Sequence, residues 1–317
     1  MLASRGSFDV GYFRRLRQFI RSHSIELIQT HLFGSAVYAS LAIGARPIPV
    51  VSTFHGSADV APDERYRRMK FRIVRRPRNR FVFVSEALRK WFIDTHPIPE
   101  SQCKVVHNGI ALDRFDPRRD AGFRKGIGVP DDAILVGAIG NLRRPKRYDV
   151  FLKAASLLRS RSSRYRFVIV GEGSGPLWEE MVVLRRELDL EDAVAFAGFA
   201  RDIDGVLASL DVYCTSSSFE GFSLTTLEAI AAGVPVVATR SGGPEEIVED
   251  GRSGLLVPPE SPEALAERID RIVALEGSGG TIEHRRRASV ERFTLDAMVE
   301  GYMGVYEECL GPISVFR

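Results

Sequence analysis

Asp211–Ala238 reads DVYCTSSSFEGFSLTTLEAIAAGVPVVA. An apolar run ending at Thr215 gives way to a loop of small residues. A helical stretch then begins at Ser223 or Leu224, and a second apolar run covers Val234–Ala238. Gly233 and Pro235 are the punctuation expected where a helix stops. Two short apolar runs joined through a helix make a βαβ unit, since an antiparallel return would need only a hairpin.

The same alternation extends in both directions. Candidate strands are Glu26–Thr30, Val50–Phe54, Phe81–Val84, Lys104–His107, Ile134–Ile139, Phe167–Val170, Val194–Phe196, Val212–Thr215, Val234–Ala238 and Gly254–Val257. Several are almost wholly apolar, as strands buried on both faces require. Between them lie helical stretches such as Asp149–Arg161, Pro176–Leu188, Arg201–Ser209, Leu224–Ala231 and Pro262–Leu275. The expected class is α/β: parallel sheets, right-handed crossovers and ligands beyond the strands' carboxyl ends. A length of 317 residues suits two doubly wound domains. Asn108–Asp131, rich in turn residues and charge, marks the seam. The expected domains are 1–117 and 118–294 with a cleft between them, and a C-terminal helix in 295–317 packing back on the first.

Composition narrows the function. The chain is 44% hydrophobic and 27% charged, which excludes global disorder and collagen-like repeats. No apolar run approaches the roughly 18–20 residues that span a bilayer, and the start carries no apolar core of signal-peptide length. Cys103, Cys214 and Cys309 are scattered, which suits a reducing compartment and gives no zinc-ligand spacing. A cytoplasmic location is expected. The net charge of +3 conceals an asymmetry: residues 1–117 hold 19 Lys+Arg against 10 Asp+Glu. Much of that excess is Glu64–Arg80 (ERYRRMKFRIVRRPRNR), and Arg14, Arg15, Arg17 and Arg21 share a predicted helix with Leu16, Phe19 and Ile20. Such segments suit an anionic membrane surface at the inner face, or a solvated face beside a polyanionic substrate. Helix-turn-helix, zinc-finger and RNA-recognition signatures are absent from the sequence, so nucleic acid is not an expected partner.

The chemistry concentrates after Asp211. Ser223 is placed to cap the following helix, leaving the N–H groups of Leu224 and Thr225 as a phosphate site at the positive end of the helix dipole. Glu228 lies one turn further in. A carboxylate repels phosphate but accepts well from two adjacent hydroxyls, such as a ribose diol. Glu220 can serve a second ring. Phosphate flanked by polyols is the chemistry of a nucleotide sugar. Spacing alone favours a capped core helix bearing two surface glutamates.

Glu220-x7-Glu228 resembles the E-x7-E hallmark of retaining GT-B-fold glycosyltransferases of family 4, the glycosyl transferases group 1 domain. SGGPEEIVEDGRSGLLVPPESPEALAERI (241–269) is similar to the segment that follows it in that family. IGNLRRPKRYDVFLKA (139–154) resembles its opening strand and basic loop, and VVHNGIALDRFDP (105–117) its interdomain passage. The resemblance runs from about Glu26 to Tyr306.

The resemblance implies roles. Glu228 would hold the nucleotide's ribose and Glu220 the transferred sugar, with Gly221 and the backbone of Phe222, Ser223 and Leu224 against diphosphate and sugar. Arg143 and Lys146 would neutralise the leaving diphosphate. Many members have arginine where this chain has Asn141, and Arg143 stands in for it. His55, in VVSTFHG, matches a first-domain histidine that serves the donor sugar; His31 and His107 also end strands. Gly140, and Gly171 in GEGSG, would let the nucleotide approach the backbone, and Arg201 would flank the base. The GEGSG run lacks the G-x-G-x-x-G register of a dinucleotide site. No cofactor or metal is implied, since cations and a helix dipole neutralise the phosphates and no D-x-D motif is expected in the donor half.

The implied activity is transfer, with retention, from a nucleoside-diphosphate sugar to a polysaccharide or glycolipid acceptor. Family members normally open with a strand and a glycine-rich loop, whereas this chain starts at what resembles the middle of that domain. The first domain is therefore expected to be incomplete. That leaves two alternatives, a mispredicted gene start or a truncated donor-binding remnant without turnover. A GT-B-like epimerase or phosphorylase is disfavoured, because no pyridoxal-phosphate lysine motif is visible.

Overall fold

The computed structural model describes residues 9–61, 64–115, 121–276 and 288–311. The expected elements that reach into 1–8, 116–120 and 312–317 lie partly outside these. The chain divides into two units: residues up to Gly109 together with those from Leu295 onward, and Ile110–Thr294. The break precedes the expected one after Pro117. Ile110 and Phe115 are buried, and the Ile110 N–H donates to the Phe293 carbonyl at 3.0 Å. That bond ties the start of the second unit to its end.

The first unit carries β1 (Ile28–His31), β2 (Val50–Phe54), β3 (Arg80–Phe83) and β4 (Cys103–Val105), all parallel in the order β1-β2-β3-β4. Its helices are α1 (Val10–Ser22), α2 (Phe33–Ala42), α3 (Arg67–Val74), α4 (Glu86–Thr95) and, from the far end of the chain, the helix Leu295–Leu310. All five residues of β2 are buried, and alternation divides them between two cores. Val50 packs with Ile20, Ala39 and Ile43 beneath α1 and α2. Val51 packs with Val82, Val106 and Val305, the last from the C-terminal helix. Burying a valine completely contributes about 1.5–3 kcal/mol, so this central strand anchors both faces. On the Val51 face the Thr53 and Tyr302 hydroxyls meet at 3.1 Å.

The second unit holds β5 (Ile134–Ile139), β6 (Tyr165–Val170), β7 (Val194–Gly198), β8 (Val212–Thr215), β9 (Val236–Thr239) and β10 (Leu255–Val257), again all parallel, in the order β10-β9-β8-β5-β6-β7. The helices are α5 (Ala121–Gly126), α6 (Tyr148–Arg161), α7 (Pro176–Glu187), α8 (Ile203–Ser209), α9 (Leu224–Ala231), α10 (Gly243–Ile247) and α11 (Pro262–Glu276). The C-terminal helix Leu295–Leu310 is α12. The chain runs outward from β5 through β6 to β7, then returns to β8 on the other side of β5. β5 and β8 therefore flank the point where strand order reverses, the place where such sheets bind ligands.

Candidate functional site

The loops that follow β5 and β8 are bolted together by main-chain bonds. The Ser218 N–H donates to the Pro145 carbonyl at 2.8 Å, and the Ser216 hydroxyl donates to the carbonyls of Lys146 and Arg147 at 2.8 and 2.9 Å. Glu220 is held from the other side. Its N–H donates to the Ser241 carbonyl at 2.8 Å, and its own carbonyl accepts from Gly243 at 3.1 Å. Gly243 lies so near the Phe222 backbone that a Cβ would come within 2.3 Å of Phe222 Cα.

On this frame Glu220 Oε1 accepts from Lys146 Nζ at 2.7 Å and from the Ser217 hydroxyl at 2.6 Å. The pair is mostly buried, its side chains 20% and 13% accessible. Lys146 passes over Gly140, whose φ of +148° and missing Cβ leave room for the lysine stem. Gly171 presses equally close: a Cβ there would stand 2.2 Å from the Gly140 carbonyl oxygen. Asn141 holds these loops together, its side-chain oxygen accepting from the Glu172 N–H at 3.1 Å. Arg143 is exposed one turn before Lys146, and Arg201 is exposed in the bend after β7.

The start of α9 differs from the sequence expectation. Ser223 has a left-handed φ of +68°, and its side chain caps no helix N–H. Its hydroxyl instead meets the Thr226 hydroxyl at 2.8 Å, while its carbonyl accepts from Thr226 and Leu227. With no side-chain cap, the N–H groups of Leu224 and Thr225 are left to other acceptors. Gly221 is buried, and the Phe222 ring packs edge-on against Phe293 at 5.3 Å, so that side chain belongs to the core. Leu224 is exposed.

Glu228 is partly buried one turn into α9. Burial raises its pKa, Arg114 opposes that rise, and Asp204 adds to it. Arg114 grips Asp204 through two bonds of 2.7 Å. Neither residue had a role in the sequence reading, although Arg114 stands inside the quoted interdomain passage. Asp202-Ile203-Asp204 is a D-x-D triplet, which corrects the expectation that the donor half holds none. Asp202 caps α8 through the Gly205 N–H at 3.0 Å and Asp204 is engaged by Arg114. Among the described residues no cluster of three or more His, Cys, Asp or Glu could hold a metal. Tyr148 and Tyr213 lie beneath the site, and burial pushes both phenols well above their usual range, so neither is a base near neutral pH.

Beside the Gly140 and Gly171 loops opens a cavity of about 710 Å³, walled by Asn141, Leu142, Gly173, Trp178, Phe196 and Phe199. Trp178 packs on Phe196 at 4.8 Å, and Phe199 is 65% exposed. An aromatic wall beside a glycine-rich loop fits a flat, polar-edged ring. The sequence reading found the glycines but not these aromatics, which lie on separate elements.

His55 belongs to the first unit. It follows β2, and its Nε2 lies 2.9 Å from Nδ1 of His31, which ends the neighbouring β1. The N–H groups of His55 and Gly56 donate to the Asp59 carboxylate at 2.5 and 3.2 Å. Burial lowers the His55 pKa and His31 lowers it further, while Asp59 acts the other way.

A family model described as Glycosyl transferases group 1 matches residues 121–290, and one described as Glycosyltransferase Family 4 matches residues 1–114. The chain is 29% identical over 303 residues to a D-inositol 3-phosphate glycosyltransferase of Saccharomonospora viridis, covering 90% of this chain and 70% of that one. It is 30% identical over 304 residues to the protein of the same name from Acidothermus cellulolyticus, covering 90% and 67%. Among solved structures it is similar to Anabaena Alr3699/HepE in complex with UDP, with a TM-score of 0.80, 22% identity, and 94% and 82% of the two chains covered. That likeness shows the fold, an α/β protein of the GT-B kind.

Proposed function

The chain belongs to the glycosyl transferases group 1 family, a membership that supports glycosyl transfer from a nucleotide sugar, and we propose that its second unit binds a nucleoside-diphosphate sugar and passes the sugar, with retention, to a glycan or lipid-linked acceptor. The observation that carries this reading is the convergence of Lys146, Glu220 and the open first turn of α9 where β5 and β8 end, with Glu228 one turn along. The diphosphate lies against the α9 N-terminus, with Lys146 and Arg143 supplying positive charge. Glu228 accepts from the ribose diol and Glu220 from hydroxyls of the transferred sugar. The base enters the aromatic-walled cavity. The solved relative's complex with UDP supports a nucleoside diphosphate as ligand class.

In the reaction the bond from the anomeric carbon to the phosphate oxygen breaks, and a bond to an acceptor oxygen forms on the same face. The departing phosphate takes the acceptor's proton. Negative charge grows on that phosphate as the bond breaks, so cations fixed beforehand by their loop stabilise the transition state more than the ground state. His55 assists at the sugar, the role that the family resemblance implies for it.

A thermal-shift screen of UDP-, GDP- and ADP-sugars tests donor binding, because a ligand of the folded state raises its melting point. Release of nucleoside diphosphate in the presence of candidate acceptors then tests transfer. A donor that shifts the melting point but is never turned over leaves only the donor-binding reading. The absence of any shift removes both.

A further inference from the structure

The aromatic-walled cavity beside the Gly140 and Gly171 loops has a polar edge with a definite order of acceptors and donors. Among its described lining residues Glu172 alone bears a charge, and Asn141 and Ser174 are the other polar side chains. Both main-chain groups of Glu172 are engaged: its N–H donates to Asn141 Oδ1 at 3.1 Å, and its carbonyl accepts from the Leu142 N–H at 2.8 Å. The residue is exposed, and its carboxylate has no hydrogen-bond or ion-pair partner among the described residues. What Glu172 offers a ligand is therefore two acceptor oxygens.

Asn141 is fixed in the complementary sense. A main-chain N–H can only donate, so the amide oxygen faces Glu172 and the Nδ2 hydrogens remain for a ligand. Asn141 is exposed and lines the same cavity. Two acceptors and a donor thus stand on neighbouring residues joined by a hydrogen bond. Close packing holds the loops in this relation. A Cβ on Gly171 would stand 2.9 Å from the Asn141 nitrogen, and one on Gly173 would stand 2.6 Å from Trp178 Cε3.

We propose that this edge selects guanine, so that the donor of the second unit is a guanosine-diphosphate sugar. The inference rests on the donor-binding reading above and adds the base to it. Guanine presents its 2-amino group, N1–H and O6 in sequence, two adjacent donors followed by an acceptor. A carboxylate takes two parallel N–H donors at once, and the Asn141 amide meets O6. Uracil places N3–H between two carbonyls, so one carboxylate oxygen would face a carbonyl oxygen. Adenine has an unprotonated ring nitrogen beside its amino group, which again leaves one carboxylate oxygen without a donor. Trp178, Phe196 and Phe199 supply apolar surface for the bicyclic ring. The negative charge of Glu172 repels phosphate, which leaves the diphosphate to the start of α9. The UDP-bound relative shares the fold at 22% identity, so the choice of base falls to each chain's own residues.

The test is calorimetric titration of the full chain with the diphosphates of guanosine, inosine, uridine and adenosine. Inosine diphosphate is the guanosine compound without its 2-amino group, so that pair isolates one hydrogen bond to the carboxylate. The guanosine compound should bind tightest, and the inosine compound about ten- to a hundredfold more weakly, the scale of a hydrogen bond to a charged group. Glu172→Gln should bring the two within about fivefold of each other, since a neutral amide offers one acceptor in place of two. Circular dichroism checks the fold of the variant, and Glu172→Ala replaces it if it does not fold. The comparison on the native chain decides without either. Equal affinity for the guanosine and inosine compounds, tighter binding of uridine or adenosine diphosphate, or a guanosine preference that survives loss of the carboxylate overturns the proposal and leaves the donor site standing. Binding of none of the four overturns the donor reading with it.

Discussion

Lys146 Nζ and Glu220 Oε1 lie 2.7 Å apart, although the two residues belong to loops after different strands. The sequence reading gave the lysine to the diphosphate and the glutamate to the sugar. In the structure they hold each other, with the Ser217 hydroxyl as a third partner. A largely buried pair of this kind adds little net stability, since desolvation offsets much of the attraction. What it supplies is placement: the bonds to Lys146 and Ser217 fix the position of the Glu220 carboxylate, and the same contact fixes the lysine. Lys146→Ala should therefore lower kcat by about 10²–10³ with a smaller change in KM, as when one preorganised donor to a growing charge is removed. Equal losses in both would reduce Lys146 to ordinary ground-state attraction.

Glu228 should give donor binding an acid limb. Burial raises its pKa above the ordinary carboxylate value of 4.5, so it takes up a proton at a pH where exposed glutamates are still ionised. The diol needs the ionised form as acceptor, and donor affinity should fall as pH drops through that raised value. Glu228→Gln should weaken the nucleotide about ten- to a hundredfold and remove the limb, the scale of a hydrogen bond to a charged group. Arg114 opposes the raised pKa, so Arg114→Gln should move the limb to higher pH. Calorimetric titration of a nucleoside diphosphate across the acid range would measure all three. A limb that persists in Glu228→Gln would assign it to another group.

Gly243→Ala should damage the site through the backbone alone. The new Cβ would approach Phe222 Cα within 2.3 Å and Phe222 C within 2.5 Å, and main-chain atoms cannot swing aside as a side chain does. The displacement would spread to the Glu220 carbonyl, which accepts from the Gly243 N–H. A loss of more than about 2 kcal/mol in denaturant unfolding is expected, the range of strain and overpacking in a filled interior. A stable variant with unchanged donor affinity would show that the loop can yield there.

Much of this architecture was legible in the chain because buried parallel strands are short apolar runs. Val50–Phe54, Ile134–Ile139 and Val212–Thr215 form over the residues their composition indicated. α9 also spans Leu224–Ala231 as read, bounded by Gly233 and Pro235. Capping chemistry was misjudged at Ser223, because a left-handed φ on a non-glycine residue leaves no trace in sequence spacing. α3 lay hidden in the arginine-rich stretch, where only Phe71 and Val74 turn inward to signal a buried face. The Arg114–Asp204 grip near Glu228 and the Trp178–Phe196 wall were invisible for a different reason. Each joins residues on separate elements, and only the strand order brings them together.

His31 and His55 should make the first unit sensitive to acid. Their rings stack with centroids 5.1 Å apart, and a shared Nδ1···Nε2 contact of 2.9 Å needs one nitrogen without a proton. Burial and then the neighbouring ring hold the His55 pKa below the ordinary 6.5. The folded state therefore binds fewer protons than the unfolded chain in this range, and stability rises with pH. The contribution is complete above pH 6.5, the unfolded value, and is lost as pH falls from there through the lowered folded value. Melting temperatures followed from above neutrality down to about pH 5 should drop more steeply for the native chain than for His55→Asn. His31→Asn, which removes the neighbouring ring but not the burial, should fall between them. Identical slopes in all three proteins would mean that the pair titrates as freely when folded as when unfolded.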